Sequence, residues 1–68
     1  MEPETEKIIE HLREIRISKK TSLLNLASMV GISHSHLYYI ESKRVIPSID
    51  LVIKLAKALN ISLINLLK

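Results

Sequence analysis

The chain has a single glycine, Gly31, and it stands between two short segments that each carry a helical pattern. On its N-terminal side Leu23, Leu26, Ala27 and Val30 fall at i, i+3, i+4 and i+7, the buried stripe of an amphipathic helix. Glycine adopts the left-handed backbone that closes a helix without the steric cost other residues meet. Ile32 follows as an apolar plug. Ser33 is a residue of the kind that caps the next helix, whose inward face is Leu37 and Ile40.

The same reading extends to both ends. Pro3 and the early glutamates suit a helix start, where negative charge meets the positive end of the helix dipole. Ile8, Leu12 and Ile15 then share one face, and this first helix is expected to end near Ile17 or Ser18. Ser22 caps the second helix. The third runs from His34 to about Ser42, with His36 near its boundary and His34, Ser35, Tyr38 and Tyr39 facing outward. Lys43 to Pro47 form a loop, because proline cannot sit inside a helix. Ser48 caps a fourth helix, Ile49 to Leu59, with Val52, Leu55, Ala56 and Leu59 inward and Asp50, Lys54 and Lys57 on one narrow polar face. Asn60 tolerates the left-handed position that ends it, and Ser62 caps a short fifth helix, Leu63 to Leu67. No stretch alternates as a half-buried strand would. The expectation is an all-α, five-helix fold.

With 68 residues, the reading is one domain over 1–68, with a short acidic lead over 1–4. A domain of this size buries only roughly 60% of its unfolded surface and commonly needs help from disulfides, metals or oligomerisation. Cysteine is absent, which leaves oligomerisation. The acidic start is unlike a secretory leader. The apolar stretch from Ile49 to Leu67 is broken by Asp50, Lys54, Lys57, Asn60 and Asn65, so it reads as a helix pair and not a membrane span. The expected location is the cytoplasm, with no membrane partner. His34 and His36 diverge on their helix and have no cysteine to join them, so no metal site is expected. No Ser-His-acid set assembles, so neither an enzyme nor a cofactor is expected. Charge is unevenly spread: residues 1–14 sum to −3, residues 15–44 to +4 and residues 45–68 to +2. A basic middle suggests a polyanionic partner.

Two helices joined by three or four residues, the first amphipathic and the second polar at its exposed start, have the layout of a helix-turn-helix. The second helix of that motif enters the DNA major groove. The register of Leu26-Ala27, Gly31-Ile32-Ser33, Leu37, Ile40-Glu41, Pro47-Ser48 and Leu55-Ala56-Lys57-Ala58-Leu59 closely resembles the phage repressor and Cro family, the XRE-type helix-turn-helix proteins. The resemblance spans about residues 8–67. It implies a lambda-repressor-like five-helix DNA-binding domain, with the helix-turn-helix in the second and third helices, that binds operator DNA as a two-fold dimer. Three departures stand out. Lys43 occupies a turn position where members often have glycine. Leu23 replaces a glutamine that holds a phosphate in many members. Tyr39 stands where a long polar residue is common.

The resemblance assigns base reading to His34, Ser35 and Tyr39, with Tyr38 in support. Imidazole, hydroxyl and phenol groups can all meet base edges. Lys43 and Arg44 in the following loop are expected on phosphates, with Lys19, Lys20 and Ser22 at the other edge. Glu41 matches a family position that pairs with an arginine on the first helix, here Arg16. Leu51, Ile64 and Leu67 form the expected homodimer surface, since monomers seldom leave large apolar patches uncovered. The leading expectation is a homodimeric transcriptional regulator, a repressor, acting on double-stranded operator DNA. No sensor domain is expected, so regulation is expected to come from protein concentration, a partner protein or proteolysis. Two alternatives share the fold: an interaction module that antagonises a related repressor, and the antitoxin of a toxin–antitoxin pair.

Overall fold

A computed structural model describes residues 1–68. It contains five helices and no strand: α1 (Pro3–Ser18), α2 (Leu23–Val30), α3 (His34–Glu41), α4 (Ile49–Ala58) and α5 (Leu63–Leu67). Each bound lies within a residue of that expected from the sequence.

One device starts each of the last four helices. The hydroxyls of Ser22, Ser33, Ser48 and Ser62 accept the backbone N–H three residues on, at 3.0, 3.0, 3.1 and 3.2 Å. Each satisfies a donor that the helix itself cannot, and each is worth about 1 kcal/mol. α1 lacks such a bond and begins instead with Pro3.

One device also closes α1 to α4. A left-handed residue turns the chain, and the following N–H reaches back to a carbonyl five residues earlier. Lys20 (φ 57°), Gly31 (φ 77°), Lys43 (φ 65°) and Asn60 (φ 58°) are the left-handed residues. The returning bonds are Thr21 to Arg16, Ile32 to Ala27, Arg44 to Tyr39 and Ile61 to Ala56, at 2.9–3.1 Å. Gly31 is alone in meeting this geometry without a Cβ.

The core joins Leu12 of α1, Leu26 and Ala27 of α2, Leu37 of α3, Val52, Leu55 and Ala56 of α4, Leu59, and Leu66 of α5. Ile9 and Ile40 are also fully buried. α3 packs on α2 and α1, α4 on α2, and α5 on α1 and α4. α1 is therefore gripped by both α3 and α5. Leu12 is buried and Ile8 and Ile15 pack half-buried against the core, on the face read from spacing, while Ile9, which spacing did not single out, is buried as well. His36 is exposed and not near the boundary: of the first turn of α3 only Leu37 is buried. No helix is long and apolar enough to cross a membrane.

Candidate nucleic-acid interface

The start of α3 is open to solvent beside the basic part of the chain. His34, Ser35 and His36 are all exposed. Burial of Leu37 and Ile40 sets the roll of the helix, and Ser33 sets its first residue. Tyr38 and Tyr39, one position apart, cannot both turn inward; they are 50% and 42% exposed. Their rings meet edge to face with centroids 5.7 Å apart. They then diverge in company: Tyr39 has the Arg44 guanidinium 6.0 Å from its ring centre. Tyr38 lines an open groove of about 650 Å³ with Leu23 and residues of α1.

Behind α3 lies a buried ion pair. Arg16 donates through Nε to Glu41 Oε2 at 2.8 Å and through a terminal nitrogen to Oε1 at 2.9 Å, a two-pronged contact. Its remaining nitrogen donates to the Thr21 carbonyl at 2.9 Å. The Glu41 side chain is only 5% exposed and that of Arg16 13%. Arg13 stands 3.9 Å from the same carboxylate at the groove edge. The pair therefore holds the C-terminal turn of α3, the last turn of α1 and the α1–α2 connection together.

The cationic residues around α3 differ in state. Lys19, Lys20 and Arg44 are exposed, and so is Ser22, whose oxygen is used by the cap while its own proton remains available. Lys43 is half-buried, and its ammonium is paired with Glu10 across the groove. The hydrogen bond and charge of Lys43 hold the Glu10 carboxyl below the usual carboxylate range, and the bond to Glu10 in turn raises the Lys43 ammonium. No three His, Asp or Glu side chains converge as a metal site would require.

The model of the family described as Helix-turn-helix matches residues 12–66, from the middle of α1 into the last turn of α5. The chain belongs to the XRE-type helix-turn-helix family. That family is one of DNA-binding transcriptional regulators. No curated protein and no solved structure matches the chain.

Lys43 occupies the left-handed turn after α3 at φ 65° and is tied to α1 by Glu10. Leu23 is half-buried and lines the groove beside Tyr38, so it closes space where a polar group would reach out. Of the three apolar residues singled out for a partner surface, Ile64 and Leu67 are well exposed at 69% and 55%, while Leu51 is half-buried against the core. Ile46 and Ile49, at the entry to α4, are as exposed as Ile64, and sequence reasoning passed over them. It also missed three contacts: Glu10 to Lys43, Arg13 beside Glu41, and His11 Nδ1 with the Leu66 carbonyl at 2.9 Å, which holds α5 to α1. The only sequence signal for the first was the row Glu6, Glu10, Glu14, which falls on one helical face without naming a partner.

Proposed function

We propose that the protein is a sequence-specific repressor that binds operator DNA as a homodimer, with α3 lying in the major groove. The exposed, unobstructed first turn of the second helix in a helix-turn-helix carries this reading. His34 and Ser35 lead into the groove, Tyr39 follows one turn later, and Tyr38 supports from the α1 side. None offers the bidentate pairing that arginine gives guanine, so each contact is worth about 1 kcal/mol, the low end for base discrimination. Phosphate contacts and DNA shape then carry more of the specificity. Arg44, packed near Tyr39, serves as the principal phosphate contact beyond α3, with Lys43 beside it and Lys19, Lys20 and Ser22 on the opposite edge. Ile64 and Leu67, with the exposed side of Leu51, form the two-fold interface that sets two α3 helices one DNA turn apart.

The test is a gel shift on the DNA upstream of the protein's own gene, with point-substituted duplexes and with His34, Ser35 and Tyr39 replaced singly by alanine. Discrimination should relax at particular base pairs while affinity for unrelated DNA barely moves. Unchanged base preference in all three variants refutes the assignment of the reading face. An interaction module that keeps the fold is the second reading, favoured by Leu23, which has no group to offer a phosphate, and by the four exposed residues Ile46, Ile49, Ile64 and Leu67. Absence of any salt-sensitive DNA binding would select it.

A further inference from the structure

We propose that Glu10 competes with DNA phosphate for Lys43, so that α1 carries a built-in restraint on sequence-independent DNA binding. The inference rests on the DNA-binding reading above and adds to it a residue that lies outside the helix-turn-helix and would touch no DNA. Lys43 lies one residue beyond the Ser42 cap of α3 and, with Arg44, leads the chain out of that helix. Its left-handed backbone fixes the direction in which its side chain leaves. That side chain turns back across the groove to α1, where Glu10 holds its ammonium. Glu6, one helical turn before Glu10, adds to the field that keeps it there. Arg44, the next residue, has no carboxylate partner and rests by Tyr39. Two adjacent cations are thus in different states, one committed and one free.

The consequence follows from ion exchange. A free lysine that meets a phosphate releases a condensed cation from the DNA, and this makes binding weaken as salt rises. As long as Glu10 holds Lys43, the ammonium reaches no phosphate and releases no cation from the DNA, so Lys43 adds little to affinity or to salt dependence. Neutralising Glu10 restores the full contact. Because the contact is to the backbone, the gain is the same for operator and unrelated DNA.

The experiment measures binding of a mixed-sequence duplex by fluorescence anisotropy at several salt concentrations, for the wild-type protein, Glu10→Gln, Lys43→Ala and the double variant. Glu14→Gln removes an equal charge from the same groove wall and serves as the control. Circular dichroism confirms folding of each. Glu10→Gln should bind more tightly and steepen the log–log salt slope by about 0.9, so that its advantage over wild type grows about 3.5-fold between roughly 200 and 50 mM salt. In the Lys43→Ala background the same change should leave the slope unaltered, and Glu14→Gln should alter it in neither. An equal gain from Glu10→Gln with and without Lys43, or from Glu14→Gln, overturns the proposal in favour of general charge repulsion. Carboxyl NMR of the free protein reads the pair without DNA. Glu10 should titrate below the usual range and return towards it in Lys43→Ala; ordinary titration in the wild type overturns the pairing itself. A depressed Glu10 together with no duplex binding by any variant overturns the DNA-binding reading, and this proposal falls with it.

Discussion

Replacing Arg16 by alanine separates the ion pair behind α3 from ordinary surface charge. In the native protein the Glu41 carboxylate accepts two charge-assisted hydrogen bonds and is almost wholly enclosed. Without Arg16 the nearest cation is Arg13, which approaches one oxygen at 3.9 Å from a side chain more than half exposed. Breaking a buried pair by removing one partner costs about 3–5 kcal/mol, because the other charge stays buried without compensation. Arg13 can move inward and recover part of this, which places the loss at about 2–3 kcal/mol. The carbonyl of Thr21 also loses its donor. A chain of this length has a total stability of about 3–10 kcal/mol, so the substitution removes a large fraction of it. At about 4–8 °C per kcal/mol the melting temperature should fall by about 8–24 °C in a thermal circular-dichroism scan at neutral pH. The double substitution Arg16→Met with Glu41→Leu should recover most of the loss, since apolar groups of similar volume leave no charge stranded. If Arg16→Ala melts within about 4 °C of wild type, or the double variant melts no higher than the single one, the pair does not tie α3 to α1 and the reasoning fails.

Three further outcomes are expected. A Cβ at Gly31 meets no atom within 4 Å, so Gly31→Ala costs only the left-handed strain, about 1 kcal/mol, while Lys20→Gly should gain a similar amount; equal melting of both variants and wild type would show that these turns carry no strain. Ile64→Asp should lower self-association in sedimentation and operator affinity together, whereas a wild-type monomer at high micromolar concentration would remove the interface through α5. Arg44→Ala should weaken binding about equally for all sequences and reduce the salt slope by about one, and altered base preference at unchanged slope would reassign Arg44 from phosphate to base.

Much of this protein was legible in local sequence because its elements are bounded by short-range chemistry. Four serines each needed a backbone donor only three residues away, and Gly31 and Asn60 each closed a turn with their own backbone. The inward faces of α2 and α4 followed from helical spacing, and so did the outward placement of the two tyrosines. Family register, which no local rule supplies, identified Arg16 with Glu41 as a candidate pair, and their side chains meet across 25 residues of chain.

What tertiary structure decided lies where two helices compete for one residue, or where a side chain crosses between elements. Spacing cannot say that α1 is packed by α3 and by α5, so it found the face of Ile8, Leu12 and Ile15 but passed over Ile9. Composition counts Lys43 among the free cations of the basic middle, but its partner Glu10 is 33 residues away. Lys20 and Lys43 adopt backbone angles that their residue type disfavours, because the returning hydrogen bonds and the packing of the next helix outweigh about 1 kcal/mol of strain at each. Local propensity acts on neighbours a few residues apart and determined where each helix starts and stops. Which charges are spent inside the protein and which remain for a partner depends on distances between helices, and those exist only once the chain has folded.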